Sequence, residues 1–247
     1  MKFSIQRENL LQPISQVVGV VERRQTLPVL ANFLIAARDG QLSVTGTDME
    51  VELITRAEAD VQIEGEITVP ARKLVDIVRM LPEDVRITAV LEGDKMTVSS
   101  GRGRYTLSTL PATEFPATDQ VETLETVNIQ ELKLKNLIDK TAFAMANQDV
   151  RYYLNGLLFD FHDNELSTVA TDGHRLAICD LNASIGVAEE RQLIVPRKGV
   201  LELARMLSDS DDSVELALGK NHIRLVKGNT VFTSKPVSYT HLTLPTS

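Results

Sequence analysis

Tryptophan is absent from these 247 residues, aromatics make up only 4%, and cysteine occurs once. So few rings leave an aliphatic core as the only option, and the lone Cys179 excludes an internal disulfide. The run Leu176-Ala177-Ile178-Cys179 reads as a buried strand, with the thiol as a small core hydrophobe. No apolar stretch approaches the roughly 20 residues of a spanning helix, and no charged-then-apolar leader opens the chain. The expected compartment is the cytoplasm, with no membrane partner. Also missing are paired histidines at helical spacing, Cys-x-x-Cys, a nucleophile elbow and a phosphate-binding loop. No metal, no cofactor and no catalytic residue are therefore expected.

Nor is there an excess of positive charge. The net charge is −8, and residues 1–120 carry 13 Lys/Arg and 17 Asp/Glu, as do residues 121–247. With no basic tail, a cationic surface has to be assembled by folding, on one face of an acidic molecule. Apolar content of 43% and charged content of 24% suit a globular chain with room for two cores.

What the chain does contain is a duplication. Asp39-Gly40-Gln41-Leu42-Ser43-Val44-Thr45-Gly46-Thr47-Asp48 returns 124 residues later as Asp163-Asn164-Glu165-Leu166-Ser167-Thr168-Val169-Ala170-Thr171-Asp172. Val69-Pro70-Ala71-Arg72-Lys73 and Arg79-Met80-Leu81 return as Val195-Pro196-Arg197-Lys198-Gly199 and Arg205-Met206-Leu207, shifted by 126. Solenoid units run about 20–50 residues, so this period marks whole domains.

Each copy gives the same signals. Leu10, Leu11, Ile14, Val17 and Val18 outline a first helix, with Pro13 within its first turn or so; Leu134, Leu137, Ile138, Thr141 and Met145 outline its twin. Alternating segments follow at 31–37, 41–46 and 49–56, and at 154–160, 165–170 and 175–180, with hairpin turns at Asp39-Gly40 and Asp163-Asn164. A second helix starts after each Val-Pro. Its core stripe is Leu74, Val75, Val78 and Leu81 in copy one, and Val200, Leu201, Ala204 and Leu207 in copy two. Closing strands are expected at 85–91, 95–100 and 103–110, and at 213–218, 222–227 and 229–234. The fold class is α+β: two tandem domains, each with two helices packed on an antiparallel sheet. Domain 1 spans 1–115, a linker 116–127, domain 2 128–237, and a tail 238–247.

Opposite the core stripe, Arg72 and Arg79 lie seven residues apart on one helix face, and Lys198 and Arg205 repeat them. A charged face is ordinarily just solvated. Its recurrence at matched positions, with Lys133, Lys135 and Lys140 as a third basic set, instead suggests a shared cationic surface. Asp76, Glu131 and Glu202 interrupt it.

Several runs closely resemble the bacterial DNA polymerase III beta subunit family, the sliding clamps of replication. They include Thr26-Leu27-Pro28, Thr68-Val69-Pro70-Ala71-Arg72-Lys73, Leu107-Ser108-Thr109-Leu110-Pro111, Gln148-Asp149-Val150-Arg151-Tyr152-Tyr153-Leu154-Asn155-Gly156 and Ala170-Thr171-Asp172-Gly173-His174-Arg175-Leu176. The resemblance runs from Met1 to about Val237. It implies a non-catalytic processivity factor of the replicative polymerase: a homodimer ring of three-domain chains around double-stranded DNA, held through phosphates without base reading. By similarity Arg24, Arg72, Gln148, Tyr152, Tyr153, Arg197 and Lys198 face the DNA, beside Arg79 and Arg205 of the basic ridges; the two tyrosines read equally well as core or hairpin residues. A groove for short linear peptides of the polymerase and clamp loader is implied at Leu154, Thr171, Gly173, His174, Arg175 and Leu176. There Leu154 and Leu176 would form an apolar floor, Gly173 would allow close backbone approach, and Arg175 would supply a charged rim. Copy one has Thr47-Asp48-Met49-Glu50 at the matching place, so Thr-Asp is expected to be structural in both. The ring seam is implied at Lys73, Arg102, Arg104 and Tyr105, on an edge strand that would otherwise use its cations only to block pairing.

Beyond Lys235 the text leaves the family pattern. The resemblance therefore implies a truncated chain, without the third domain that completes both groove and seam. Two other readings compete. Asp172, His174 and Cys179 lie close in sequence, yet acid–base or metal chemistry draws convergent groups from several segments. A protein-interaction scaffold that never encircles DNA would scatter the basic positions over the surface.

Overall fold

The computed structural model describes residues 1–21, 27–116 and 122–237. The chain divides into two compact units between residues 119 and 120, with Gly228–Val231 grouping with the first.

The first unit runs β1 (Lys2–Gln6), α1 (Arg7–Val17), β2 (Asn32–Arg38), β3 (Gln41–Thr47), β4 (Val51–Glu58), β5 (Asp60–Ile63), β6 (Gly65–Pro70), α2 (Ala71–Met80), β7 (Arg86–Glu92), β8 (Lys95–Ser100) and β9 (Gly103–Ser108). Its strands form two layers, in the orders β5-β1-β7-β8-β9 and β4-β3-β2-β6. The second unit repeats the plan: β10 (Thr123–Gln130), α3 (Glu131–Thr141), β11 (Gly156–His162), β12 (Glu165–Thr171), β13 (Leu176–Asn182), β14 (Arg191–Pro196), α4 (Arg197–Met206), β15 (Ser213–Gly219), β16 (Ile223–Lys227) and β17 (Thr230–Ser234). Its orders are β10-β15-β16-β17 and β13-β12-β11-β14. Strand for strand these match the first unit, with β5 as the one addition.

The predicted α+β class and tandem organisation hold, with two corrections. Each unit carries two antiparallel sheets where one was expected. Each copy also begins with a strand and enters its second helix from another, so β1, β6, β10 and β14 were missed. Thr123–Val127, assigned to the linker, opens β10, where Val127 and Ile129 alone turn inward and their neighbours are exposed or half-buried. Two inward residues among polar neighbours leave too weak an alternation to read.

The hairpin at Asp39-Gly40 is as expected. Arg38 pairs with Gln41, and both turn residues have positive φ (50° and 71°), the geometry of a two-residue type I′ turn. Pro13 is not in the first turn. Helix α1 starts at Arg7, which puts the buried proline in the helix interior, where it forgoes one backbone bond.

Helix α2 buries Leu74, Val75, Ile77 and Val78, each fully buried aliphatic contributing about 1.5–3 kcal/mol. In α4 the buried face is rotated. Leu201, predicted to be core, is 41% exposed, whereas Gly199, Val200, Glu202 and Leu203 are buried. The cause is Gly199, which replaces Lys73. A Cβ there would stand 2.8 Å from the Ser234 Oγ and 3.1 Å from a Val195 methyl, so only glycine lets this helix sit down on β17. Cys179 is another correction. It is half-buried on β13, an edge strand whose Leu176 and Ile178 are exposed, so the run is not a core strand.

Candidate nucleic-acid interface and peptide groove

The cationic helix faces differ between copies. On α2, Arg72, Lys73, Asp76 and Arg79 are exposed, opposite the buried stripe, and Arg72 donates an Nη2–H to the Val21 carbonyl (3.1 Å). On α4, Arg197 and Lys198 are half-buried, and Arg197 donates an Nη1–H to the Met145 carbonyl (3.1 Å). Val21 and Met145 are 124 residues apart, equivalent places after the first helix of each copy. Arg197, not Lys198, therefore makes the contact that Arg72 makes in copy one. Sequence alignment pairs Arg72 with Lys198, since the helices Ala71–Met80 and Arg197–Met206 keep the offset of 126.

The lower ridge also differs. Arg205 is bound through Nη1 to the buried Glu202 carboxylate at 2.5 Å, which neutralises it locally. Lys135 of the third basic set is similarly held, by Asp139 (3.2 Å) and Asp209 (2.9 Å), while Lys133 and Lys140 are exposed. Arg24 lies outside the described residues.

Gln148, Tyr152 and Tyr153 share one tightly wired segment. Asn155 grips the peptide of Asp149 from both sides, its Oδ1 accepting from the Asp149 N–H (2.9 Å) and its Nδ2 donating to the Asp149 carbonyl (2.7 Å). The Asp149 carboxylate accepts from the Arg151 amide (2.8 Å), Nε (3.0 Å) and Nη2 (2.9 Å). Those bonds, the Arg151 guanidinium first, lower its pKa from the usual carboxylate value to about 2. The segment presents Gln148, at φ 59°, and Tyr152, 73% exposed, to solvent. Tyr152 is thus no core residue; Tyr153 is half-buried.

The groove residues meet at the turn between β12 and β13. Thr171 Oγ1 donates to the Arg175 carbonyl (2.7 Å) and accepts from the Gly173 N–H (3.1 Å). Asp172 Oδ1 accepts from the amides of His174 (2.9 Å) and Arg175 (3.0 Å), and its Oδ2 from Arg175 Nε (2.9 Å). These bonds, the two amides foremost, hold the Asp172 carboxyl below its ordinary pKa. Copy one builds the same turn with Thr47 and Asp48, whose side chains bond Met49, Glu50 and Val51. Thr-Asp is therefore structural in both copies. The third position has left-handed backbone in each, φ 78° at Met49 and 88° at Gly173, so glycine answers a demand of the turn itself. The space beside Gly173 is also taken: Arg151 Nη2 lies 3.2 Å from where a Cβ would stand.

Of the expected apolar floor, Leu154 is buried and Leu176 is 63% exposed; Ile178 on the same strand and Phe143 (58%) are exposed as well. The ring of Phe143 lies under Arg175, its centroid 5.6 Å from the guanidinium carbon. Phe143 was missed because nothing in its sequence setting, Ala142-Phe143-Ala144, distinguishes it from a core residue. His174 is exposed, and Asp172 is engaged by the turn, so the supposed Asp172, His174 and Cys179 set offers no assembled acid–base pair.

At the third site, β9 is the terminal strand of its sheet, bearing Arg104 and Tyr105, with Arg102 in the turn before it. Arg102 and Arg104 are exposed and Tyr105 half-buried; α2, which carries the exposed Lys73, lies against this strand.

Duplicated α+β units with cation-bearing second helices and a polar turn bordered by exposed apolar side chains define a tandem of DNA-clamp domains. The family model of the DNA polymerase III beta subunit N-terminal domain matches residues 1–119, and that of its central domain matches residues 128–239. The chain belongs to the DNA polymerase III beta subunit family. The beta sliding clamp of Pseudomonas putida is 53% identical over 238 residues, which are 96% of this chain and 65% of the relative. The crystal structure of the DNA polymerase III subunit beta of Pseudomonas aeruginosa superposes with a TM-score of 0.93 at 52% identity, over 98% of this chain and 66% of that one. A sliding clamp from the same species bound to griselimycin gives 0.92 at 52% identity, over 100% and 68%. The chain spans about 65% of the length of the curated relatives it matches. Among the described residues, no helix is long and apolar enough to cross a membrane.

Proposed function

We propose that this chain supplies the first two domains of a processivity clamp: a non-catalytic, cytoplasmic accessory of the replicative polymerase that encircles duplex DNA and binds no cofactor. The carrying observation is the paired anchoring of Arg72 and Arg197 on the Val21 and Met145 carbonyls. An arginine spends part of its donor set on backbone and keeps its charge, giving a fixed phosphate contact without base reading. Around these two, Arg24, Arg79, Gln148, Tyr152, Tyr153, Lys198 and Arg205 complete the DNA-facing set, with Arg205 contributing least because Glu202 neutralises it. Domain 1 extends over 1–115, and domain 2 opens with β10 at Thr123, ahead of the expected boundary at 128, and runs to 237.

The turn of Thr171, Gly173, His174, Arg175 and Leu176, with Leu154 beneath, takes short peptides of the polymerase and clamp loader. The griselimycin complex of the Pseudomonas aeruginosa relative supports a ligand of peptide size. Lys73, Arg102, Arg104 and Tyr105 form the homodimer seam, where an edge strand gains a partner strand. The test is retention. A clamp of the relatives' full length that contains this chain is loaded on circular DNA, which is then linearised. Encirclement predicts rapid loss from free ends and retention when the ends are blocked. Equal retention on unblocked linear DNA would refute it.

A further inference from the structure

The ring of Phe143 stands exposed beside the turn that carries Arg175. It sits in the single turn Ala142–Ala144 after α3, a segment that lies against β12 and β13. An aromatic ring left 58% open gains little from burial, so packing does not account for it. Its ring meets Arg175, 5.6 Å from centroid to guanidinium carbon, within the range of a cation–π interaction. The internal repeat supplies a control. At a shift of 124, Phe143 corresponds to Gly19 and Arg175 to Val51, so copy one lacks both partners although it builds the same turn. Ring and arginine occur together in the one copy whose turn carries Gly173-His174-Arg175.

Arg175 is restrained from two directions. Asp172 Oδ2 takes its Nε–H at 2.9 Å, and the guanidinium carbon lies over the Phe143 ring. A long side chain with more than half its surface in solvent would otherwise sample many rotamers, and ordering them on ligand binding costs affinity. We propose that Phe143 is a positioning residue of the peptide groove: its ring aims Arg175 so that the Nη groups meet a carbonyl or carboxylate acceptor of an incoming peptide. This rests on the reading of the turn as a peptide site.

The test uses a clamp of the relatives' full length that contains this chain, with F143L, F143Y, R175A and the F143L/R175A double variant. Two measurements are made: the Arg175 Nε–H resonance by NMR, and griselimycin affinity by calorimetry. A ring-current shift at Nε–H is expected in the wild type and F143Y, and its disappearance in F143L. Griselimycin affinity should fall about two- to fivefold in F143L, stay level in F143Y, and fall no further when F143L is added to R175A. An unchanged Nε–H resonance in F143L, or an equal loss of affinity with and without Arg175, overturns the proposal. Should R175A leave griselimycin binding untouched while F143L still moves Nε–H, the positioning stands and the peptide-site reading falls.

Discussion

Replacing Gly173 by alanine, and Met49 by glycine, should move stability in opposite directions. The two residues occupy the same place in duplicated turns, with φ 88° and 78°, each framed by the same Thr-Asp hydrogen bonds. An L side chain in left-handed backbone costs about 1–2 kcal/mol, and a glycine gives back about 0.5–1 kcal/mol through its freer unfolded chain. Gly173→Ala should therefore destabilise by about 1 kcal/mol. Its new Cβ also meets Arg151 Nη2 at 3.2 Å, but that is the far end of a flexible side chain and adds little. Met49→Gly removes the same strain and sacrifices little burial, since Met49 is half in solvent, giving a gain between about zero and 1 kcal/mol. With urea m-values of about 1–3 kcal/mol/M, a 1 kcal/mol change shifts the midpoint by roughly 0.3–1 M. Urea titration of both variants checks this. A stabilised Gly173→Ala, or a Met49→Gly that loses more than about 1 kcal/mol, would refute strain as the reason for glycine at the groove.

Gly199→Ala should destabilise by about 1–3 kcal/mol despite the better helix former, because the Cβ meets Ser234 and Val195 in a closed interior. Adding Ser234→Ala, which removes the Oγ at 2.8 Å, should recover part of the loss in thermal melts. His162 lies between Glu190 (3.0 Å) and Asp160 (3.2 Å), whose bonds, Glu190 first, raise its pKa. Its folded pKa is above the unfolded value of about 6.5, so its stabilisation is full below that pH and fades as pH rises through the folded pKa. His162→Gln should flatten that part of the melting-temperature profile between pH 5 and 9. In DNA-binding titrations, Arg72→Ala should reduce the slope of log K against log salt by about 1, whereas Arg205→Ala, already neutralised by Glu202, should change it far less.

Local rules were enough for the hairpin at Asp39-Gly40, the Val-Pro entries to both second helices and the α2 stripe, since each depends on residues within a few positions. The Thr-Asp turn was legible for the same reason: its side chains bond backbone two to four residues away. The tandem plan followed from the repeat alone. The rotation of α4 was not legible, because Leu201 is as apolar as Val75 and its exposure depends on Gly199 resting on Ser234, 35 residues on. Arg197 was aligned one place away from its true counterpart, since the match to Arg72 is made through a carbonyl 52 residues distant.

Composition and the 124-residue echo thus determined that the chain is two like α+β units with aliphatic cores and basic second helices. Only tertiary structure decided that Lys135 also meets Asp209 at 2.9 Å, 74 residues away, whereas its pairing with Asp139 and that of Arg205 with Glu202 join neighbours on one helix turn. The same is true of Phe143 and Arg175. Their meeting across 32 residues is a fact of packing, to which no local pattern points.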